Sequence, residues 1–322
     1  MRSKLNKLKQ RFQAKGKSLL PFGLVLLLLL IGQFFSPGFF SLSHLTHILT
    51  LAAPLGIMAI GQTFVILSGK EDVDFSSGAN ASLSIVLTAF LLQRYNHGIT
   101  TLIILTVGFI FGLMNGFGVR VIGIPPLIMT FCSSMLLYGV GQAITRGMSI
   151  GTSTPVLTFM ALGRIAGIPV AFLIWMGSTI LAALVLHATI YGRWLYAAGS
   201  NPMATHLAGI SNKVVGMVAY ALSGTLSAFA GLLFLGRFSI PSGFRMAEIY
   251  TLPCIMAVIL GGTNFFGGEG GFTGSIGSVI ALTILDSFFT IFNISQAWRT
   301  VMYGLLLVII LIFFVRREKL RI

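Results

Sequence analysis

The chain has 322 residues, of which 56% are hydrophobic and only 9% are charged, and its mean hydropathy is +0.95. Because a soluble domain carries about 25% charged residues, this composition excludes a water-soluble globular protein. The net charge of +14 does not indicate a nucleic-acid partner, because seven of the 21 Lys and Arg lie in the first 17 residues and four in the last seven. Basic flanks of this kind are typical of membrane proteins.

Long apolar runs follow one another along the chain, and a helix needs about 20 apolar residues to cross a bilayer. Only helices and closed barrels satisfy their backbone in lipid, and continuous runs exclude the alternating strands of a barrel. We therefore predict an all-α polytopic membrane protein with ten spans. In chain order these are 18–35, 47–69, 79–95, 99–119, 124–145, 170–191, 212–236, 252–266, 272–293 and 300–315.

The distribution of Lys and Arg predicts the orientation of these spans, because basic residues concentrate on the cytoplasmic side. With both termini in the cytoplasm, 15 of the 21 basic residues fall on that side and six on the other. The predicted organisation is a basic cytoplasmic tail (1–17), a transmembrane domain (18–315) that contains a cytoplasmic loop (192–213), and a basic cytoplasmic end (316–322).

A first interruption of the apolar pattern is LSGKEDVDFSSGANASL (67–83), which contains three carboxylates. One interpretation is a solvated turn in which Asp74 or Ser76 caps a helix that begins near Ser77. The other is a broken helix whose irregular backbone faces an aqueous cavity and a polar solute. The residues alone favour neither interpretation.

A second interruption is VILGGTNFFGGEGGFTGSIGS (258–278), which contains eight glycines in 21 residues. Two short helices that meet at glycines would leave backbone groups free to face a solute, whereas the simpler interpretation is a tight cytoplasmic turn between two spans. No GxxxxGK[ST] phosphate-binding loop occurs in the chain, so it does not bind ATP in that way.

Isolated polar residues inside apolar stretches have mainly structural interpretations. Asp286 is predicted within a span, where a charge costs roughly 2.5–3.5 kcal/mol, so we expect it to face the protein interior, to be protonated or to pair with a basic group. His44 and His47 are three residues apart without a nearby third ligand, which favours an interfacial pair over a metal site. Cys132 and Cys254 are expected to be buried thiols. No catalytic constellation is visible, so we predict that the chain is not an enzyme.

The stretch GRWLYAAGSNPMATHLAGISNKV (192–214) separates two spans but resembles part of a soluble protein. Asn201 can cap a helix whose first residue is Pro202, where the missing N–H costs nothing. Gly209 supplies a left-handed stop. The sequence therefore predicts a cytoplasmic helix of about two turns, roughly 10 Å long.

An apolar stripe on this short helix indicates that the helix binds something. Met203 and Leu207 are i, i+4 neighbours, and Ile210 continues the stripe. Because a two-turn helix is unstable alone, it must dock either into a groove of a partner protein or onto lipid headgroups. The small number of Lys and Arg beside its polar face favours the partner protein.

Three motifs together resemble the permease subunits of bacterial ABC sugar importers of the ribose, xylose, arabinose and galactoside type. They are LGIMAIGQTFVILSGKEDVDFSSGA, YAAGSNPMATHLAGI and LPCIMAVILGGTNFFGGEGGFTGSIGSVI, in that order. The similarity extends from about Phe40 to the carboxyl end. This resemblance implies a multi-pass protein of the bacterial plasma (inner) membrane that translocates a small polar solute, most simply a monosaccharide.

The resemblance also implies partners. The chain would form a dimer with a second permease chain, identical or related, and would work with two cytoplasmic ATPase subunits and an extracytoplasmic sugar-binding protein. ATP-Mg would bind to the ATPase, and no cofactor is expected on this chain. The short cytoplasmic helix would be the coupling helix seated in the ATPase.

Site residues follow from the motifs and from the apolar stripe. The residues predicted for ATPase coupling are Gly199, Asn201, Met203, Ala204, Leu207, Ala208, Gly209 and Ile210. The residues predicted for the translocation path are Asp74, Ser76, Gly78, Gly261, Gly262 and Thr263.

The chain departs from the family pattern at two places. The segment that contains Glu71 and Asp72 is longer and more charged than the usual glycines before the first interruption, and Thr251, Leu252 and Pro253 stand where many relatives carry acidic residues. The second departure leaves the specificity for the solute or the binding protein open, and pentoses, hexoses, polyols, nucleosides and furanosyl signal molecules all remain candidate solutes. An alternative function is an ion-coupled secondary carrier with Asp286 as the coupling group, which would need neither a coupling helix nor an ATPase.

Overall fold

A computed structural model describes residues 2–148, 151–240 and 244–319, with side chains from residue 19 to residue 312. In these ranges the chain is helical almost throughout. The helices are α1 (Arg2–Phe35), α2 (Leu42–Ser68), α3 (Ser77–Leu91), α4 (His97–Phe117), α5 (Pro126–Thr145), α6 (Pro155–Leu162), α7 (Val170–Ala188), α8 (Ile190–Ser200), α9 (Pro202–Leu207), α10 (Asn212–Phe238), α11 (Thr251–Leu260), α12 (Phe272–Ile291) and α13 (Gln296–Lys319).

Ten apolar helical segments coincide with the ten predicted spans. In the described residues, six helices are long and apolar enough to cross a membrane: α2, α5, α7, α10, α12, and α4 with the π-helical segment Gly118–Ile122 that continues it. Four apolar segments are shorter, namely Leu19–Phe35, Ser77–Leu91, Glu248–Leu260 and Gln296–Ile312. The all-α polytopic class is therefore confirmed.

Several boundaries and small elements differ from the prediction. The span predicted at 252–266 ends at Leu260, because Gly262 has a φ of +90° and turns the chain. Between α5 and α7 the structure adds α6 and an antiparallel hairpin, β1 (Arg164–Ile165) paired with β2 (Ile168–Pro169). The two residues between its strands both have positive φ, which is typical of a type I′ turn.

Helix α10 lies at the centre of the bundle, where it packs against α2, α3, α4 and α6. Its side chains Tyr220 and Phe234 are fully buried, as are Phe64 of α2 and Trp175 of α7. Helix α1 is peripheral and packs mainly against α12. Cys254 is buried as expected, but Cys132 is exposed on the outer surface of α5, so the prediction for that thiol is wrong.

The tails predicted as basic and cytoplasmic, 1–17 and 316–322, lie outside the residues whose side chains are described. The backbone of α1 is continuous from Arg2 to Phe35, so the apolar part of this helix follows the tail without a break. The domain boundaries remain predictions.

Glycines bring α4 and α10 into backbone contact. Gly108, Gly112 and Gly116 share one face of α4 and meet α10 along its length. A Cβ atom at Gly112 would overlap the carbonyl oxygen of Tyr220, and one at Gly224 would overlap the carbonyl of Gly108. Small residues at such positions allow the close approach that stabilises helix pairs in membranes.

We predict that Gly112→Val separates α4 from α10 and lowers the free energy of unfolding by about 1–3 kcal/mol, the usual cost of overpacking. The measurement is the apparent melting temperature of the protein in detergent. It is determined from the loss of the monodisperse peak in size-exclusion chromatography after heating. The control is Gly177→Val, because a Cβ atom at Gly177 of α7 meets no atom within 4 Å. Equal melting temperatures for the two variants would contradict this account of the contact.

Candidate functional site

The short helix α9 forms as its caps predict. The Asn201 side chain accepts a hydrogen bond from the Ala204 amide at 3.0 Å, and Pro202 is the first helical residue. Gly209 has a φ of +79° and ends the helix in the left-handed region. The helix is six residues long, close to the predicted two turns.

The apolar stripe of α9 is exposed. Met203 is 69% exposed and Leu207 is 80% exposed, whereas Ile210 is half-buried. Thr205, on the opposite face, is buried against the rest of the chain. The helix therefore presents its apolar side chains outward and leaves them free to dock.

Helix α8, which the sequence did not predict, anchors α9 to the bundle. Gly199 near its end is buried, and a Cβ atom there would overlap both the carbonyl oxygen of Leu67 and the amide of Gly268. The Gly268 amide itself donates a hydrogen bond to the Leu67 carbonyl at 3.2 Å. The backbones of α2, α8 and the glycine-rich segment 261–271 thus meet at one point.

Side chains of α8 strengthen this junction. The Tyr196 hydroxyl donates to the carbonyl of Gly270 at 2.8 Å, and Ser200 Oγ donates to the carbonyl of Gly268 at 3.2 Å. Burial raises the pKa of Tyr196, so the hydroxyl keeps its proton at neutral pH and remains a donor. The two interruptions also contact each other, because the Glu71 amide donates to the carbonyl of Phe265 at 3.2 Å.

The first interruption is buried, so the interpretation as a solvated turn is wrong for its aspartates. Helix α3 begins at Ser77 as expected, but Ser76 makes no side-chain cap, and Asp74 is 0% exposed. One Asp74 carboxylate oxygen accepts from the Ser76 amide at 2.9 Å and from Ser76 Oγ at 2.6 Å, and the other accepts from Ser223 Oγ at 2.7 Å. Because the carboxylate is paired with the protein, this conformation does not present it to a solute.

An ion pair joins the first interruption to the segment that follows α4. Arg120, in the π-helical segment after α4, forms a salt bridge with Asp72, whose side chain is 3% exposed. Both Asp72 and Arg120 also hydrogen-bond Ser68 Oγ, each at 2.9 Å. A Cβ atom at Gly216 would overlap the Arg120 side chain. The absence of a side chain at Gly216 therefore allows Arg120 to lie across α10. Sequence reasoning did not identify this pair, because its partners are 48 residues apart.

The second interruption is a tight turn with internal hydrogen bonds. The Thr263 amide donates to the carbonyl of Val258 at 3.2 Å, and Thr263 Oγ1 accepts from the Gly271 amide at 3.4 Å. Gly261 packs directly on the backbone of α12 at Ser275. The structure thus favours the turn over two helix ends with free backbone groups.

The structure brings the predicted coupling residues together at one end of the bundle, beside both interruptions. It separates the predicted path residues into two groups. Asp74 and Ser76 contact α4 and α10, and Gly78 packs on the segment 247–251, whereas Gly261 packs on α12. Of these six, only Gly262 is not classed as buried, so their assignment to the path remains a prediction.

Asp286 and His44 make contacts within the chain. Asp286 accepts hydrogen bonds from Arg299 at 3.1 Å and from the Tyr303 hydroxyl at 3.4 Å, which confirms that it pairs with a basic group. It lies only five residues before the end of α12, nearer the helix end than predicted. In the described part of the chain, no three His, Cys, Asp or Glu residues are placed to hold a metal ion, and the ring of His44 packs on Phe39 at 4.3 Å.

Comparisons with known proteins agree with this geometry. The chain is 29% identical to the galactose/methyl galactoside import permease protein of Escherichia coli K12 over 314 residues, which cover 88% of this chain and 89% of that protein. It is 30% identical to the ribose import permease protein of the same organism over 292 residues, with the same coverage. It is 29% identical to a probable ABC transporter permease protein of Sinorhizobium fredii over 287 residues, which cover 89% of this chain and 85% of that protein.

No solved structure matches the chain. A family model described as the permease component of the branched-chain amino acid transport system matches residues 44–311. This range includes both interruptions, α8 and α9. The chain therefore belongs to this family of membrane permease components.

Proposed function

We propose that this protein is the membrane-spanning permease subunit of an ATP-driven sugar importer. The observation that carries the proposal is the junction of α8 with both helix interruptions, at Leu67 and at Gly268. It supports a mechanism in which a displacement of α9 is transmitted through α8 to the interior of the bundle. The relatives import ribose and galactose by name, which supports a monosaccharide as the solute.

In this function the exposed stripe of α9 docks into a groove of a cytoplasmic ATPase. Closure of the ATPase on ATP-Mg displaces α9, and α8 conveys the displacement. Because Gly199 contacts other backbones without an intervening side chain, α8 cannot move without pressing on α2 and on the glycine-rich segment. The two interruptions then change their packing together, which opens or closes the solute path.

The complete importer would contain further parts. We infer a second permease chain, a pair of ATPase subunits and an extracytoplasmic sugar-binding protein, with both termini of this chain in the cytoplasm. ATP hydrolysis takes place in the ATPase, so this chain is a non-catalytic translocation subunit. The ion-coupled carrier considered above is contradicted by membership of the permease family, and the pairing of Asp286 with Arg299 gives that carboxylate a structural role instead.

The direct test is reconstitution of the permease with its ATPase and binding protein in proteoliposomes. We expect uptake of radiolabelled ribose or galactose to require ATP-Mg on the side of the membrane that carries the ATPase. It should also require the binding protein on the opposite side. Uptake that proceeds without the ATPase and follows an ion gradient would contradict the proposal.

Docking of α9 predicts that Leu207→Asp weakens capture of the ATPase and lowers uptake by about tenfold or more, because a buried carboxylate without a partner costs several kcal/mol. Capture is measured by co-purification and uptake in proteoliposomes. Leu207→Met is the matched control, since it keeps an apolar side chain of similar size at the same site. If the aspartate variant still retains the ATPase and full uptake, α9 is not the docking element.

The junction predicts a different effect for Gly199→Ala. The ATPase should still co-purify, because the stripe of α9 is unchanged, but uptake per ATP hydrolysed should fall by about tenfold, since overpacking at Leu67 costs about 1–3 kcal/mol. The control is Gly271→Ala in the glycine-rich segment, where a Cβ atom meets only the Tyr196 hydroxyl at 3.9 Å and φ is extended. Equal uptake per ATP hydrolysed in the two variants would argue against transmission through Gly199.

A further inference from the structure

The segment 244–250, which carries Arg245 and Glu248 and precedes α11, packs against α3. The 3₁₀ turn Glu248–Tyr250 leads directly into α11, and Ala247 before it is fully buried. The Ala247 amide donates to Ser82 Oγ at 2.9 Å, and a Cβ atom at Gly78 would lie only 2.7 Å from the Ala247 carbonyl oxygen. Both contacts are with α3, so the segment is inserted beside that helix.

The segment lies at least seven residues inside the carboxyl-terminal ends of α3 and α5. Ser82 is nine residues before the last residue of α3, a distance of about 13 Å along a helix. Arg245 places its guanidinium group 4.4 Å from the centre of the Tyr138 ring. Tyr138 is seven residues before the end of α5, or about 10 Å along the helix. The charged group therefore lies about 10 Å inside the end of a helix that is long and apolar enough to cross a membrane.

Arg245 and Glu248 form a two-point ion pair at this depth. Arg245 Nε lies 2.8 Å from one carboxylate oxygen of Glu248, and Nη2 lies 3.0 Å from the other. Their side chains are nevertheless 45% and 42% exposed, unlike the buried Asp72. Because charges that face lipid at this depth are costly, ionisable residues inside membranes face water-filled cavities or other protein.

We infer that Arg245 and Glu248 line the aqueous path of the permease and contact the solute as it passes. The inference rests on the proposed function and names solute-contacting residues that the sequence motifs did not include. The pair carries no net charge, which suits a neutral solute. Guanidinium donors beside carboxylate acceptors match neighbouring hydroxyl groups, which both donate and accept. The solute class is an uncharged polyhydroxylated molecule.

Water access can be tested without knowledge of the solute. In the full-length permease assembled with its ATPase, Cys132→Ser and Cys254→Ser provide a background without native thiols. In this background Arg245→Cys and Glu248→Cys are labelled with a membrane-impermeant methanethiosulfonate, which reacts with the thiolate. The control is Phe109→Cys, which replaces an exposed apolar side chain of α4.

We expect both path cysteines to react at least an order of magnitude faster than the control cysteine. Reaction at the slow rate of the control would overturn the inference, since it would place the pair against lipid or a second protein chain. Ribose or galactose at millimolar concentration, supplied with the binding protein, should then slow the labelling. Labelling that neither sugar slows, in an importer that transports that sugar, would overturn the contact with solute.

Uptake by charge variants gives an independent measurement. Arg245→Gln and Glu248→Gln should each lower uptake severalfold while the ATPase co-purifies normally, and Arg245→Lys and Glu248→Asp should lose less. Arg94→Gln, which alters an exposed arginine at the end of α3, should transport as the wild type does. Failure of the wild-type complex to import either sugar would defeat the proposed substrate class, whereas the labelling rates would still decide whether the pair lines an aqueous path.

Discussion

The carbonyl group of Leu67 is the point on which the coupling architecture depends. It belongs to the last turn of α2, where carbonyl groups have no partner within the helix, and it accepts its hydrogen bond from the Gly268 amide. Gly199 of α8 packs against the same oxygen. Three segments that are remote in sequence therefore share one contact between backbones. A contact of this kind has no flexible side chain to absorb a displacement, so the position of α8 fixes the position of both interruptions.

The cost of unpaired polar groups in a membrane explains why the interruptions take this form. Irregular backbone at membrane depth is tolerated only where protein or water satisfies it. Here Asp74 is paired with two serines, and Asp72 is paired with Arg120. Removal of one member of a buried pair costs about 3–5 kcal/mol because the other charge stays buried. Arg120 thus neutralises one of the extra charges that distinguish this chain before the first interruption, that of Asp72, whereas Glu71 is exposed.

Some features of the structure can be predicted from residues that are close in sequence, and others cannot. Hydropathy located the ten apolar helices, and the Asn201 and Gly209 caps located α9, because these signals depend on neighbours in sequence. The burial of Asp74, the anchoring role of α8 and the inserted turn at Glu248 depend on contacts between distant segments. Arg245 is one of the six basic residues that the charge distribution predicts on the non-cytoplasmic side, and nothing in its neighbours indicates that it lies beside α3. Cys132 was misplaced for a related reason, because an apolar run does not tell which face of a helix is turned toward lipid.

Contacts within the bundle connect the segment of α8 and α9 to the turn Glu248–Tyr250. The first interruption leads into α3, whose first turn carries Gly78 against the Ala247 carbonyl, and one turn later Ser82 binds the Ala247 amide. Ala247 directly precedes Glu248, so a shift of α3 along its axis moves the carboxylate relative to Arg245 and Tyr138. The Ser82 side chain holds the Ala247 amide and Gly78 packs on the Ala247 carbonyl, so we expect α3 and Ala247 to move together. Closure of an ATPase on α9 would then alter the surroundings of the Arg245–Glu248 pair without any direct contact between them.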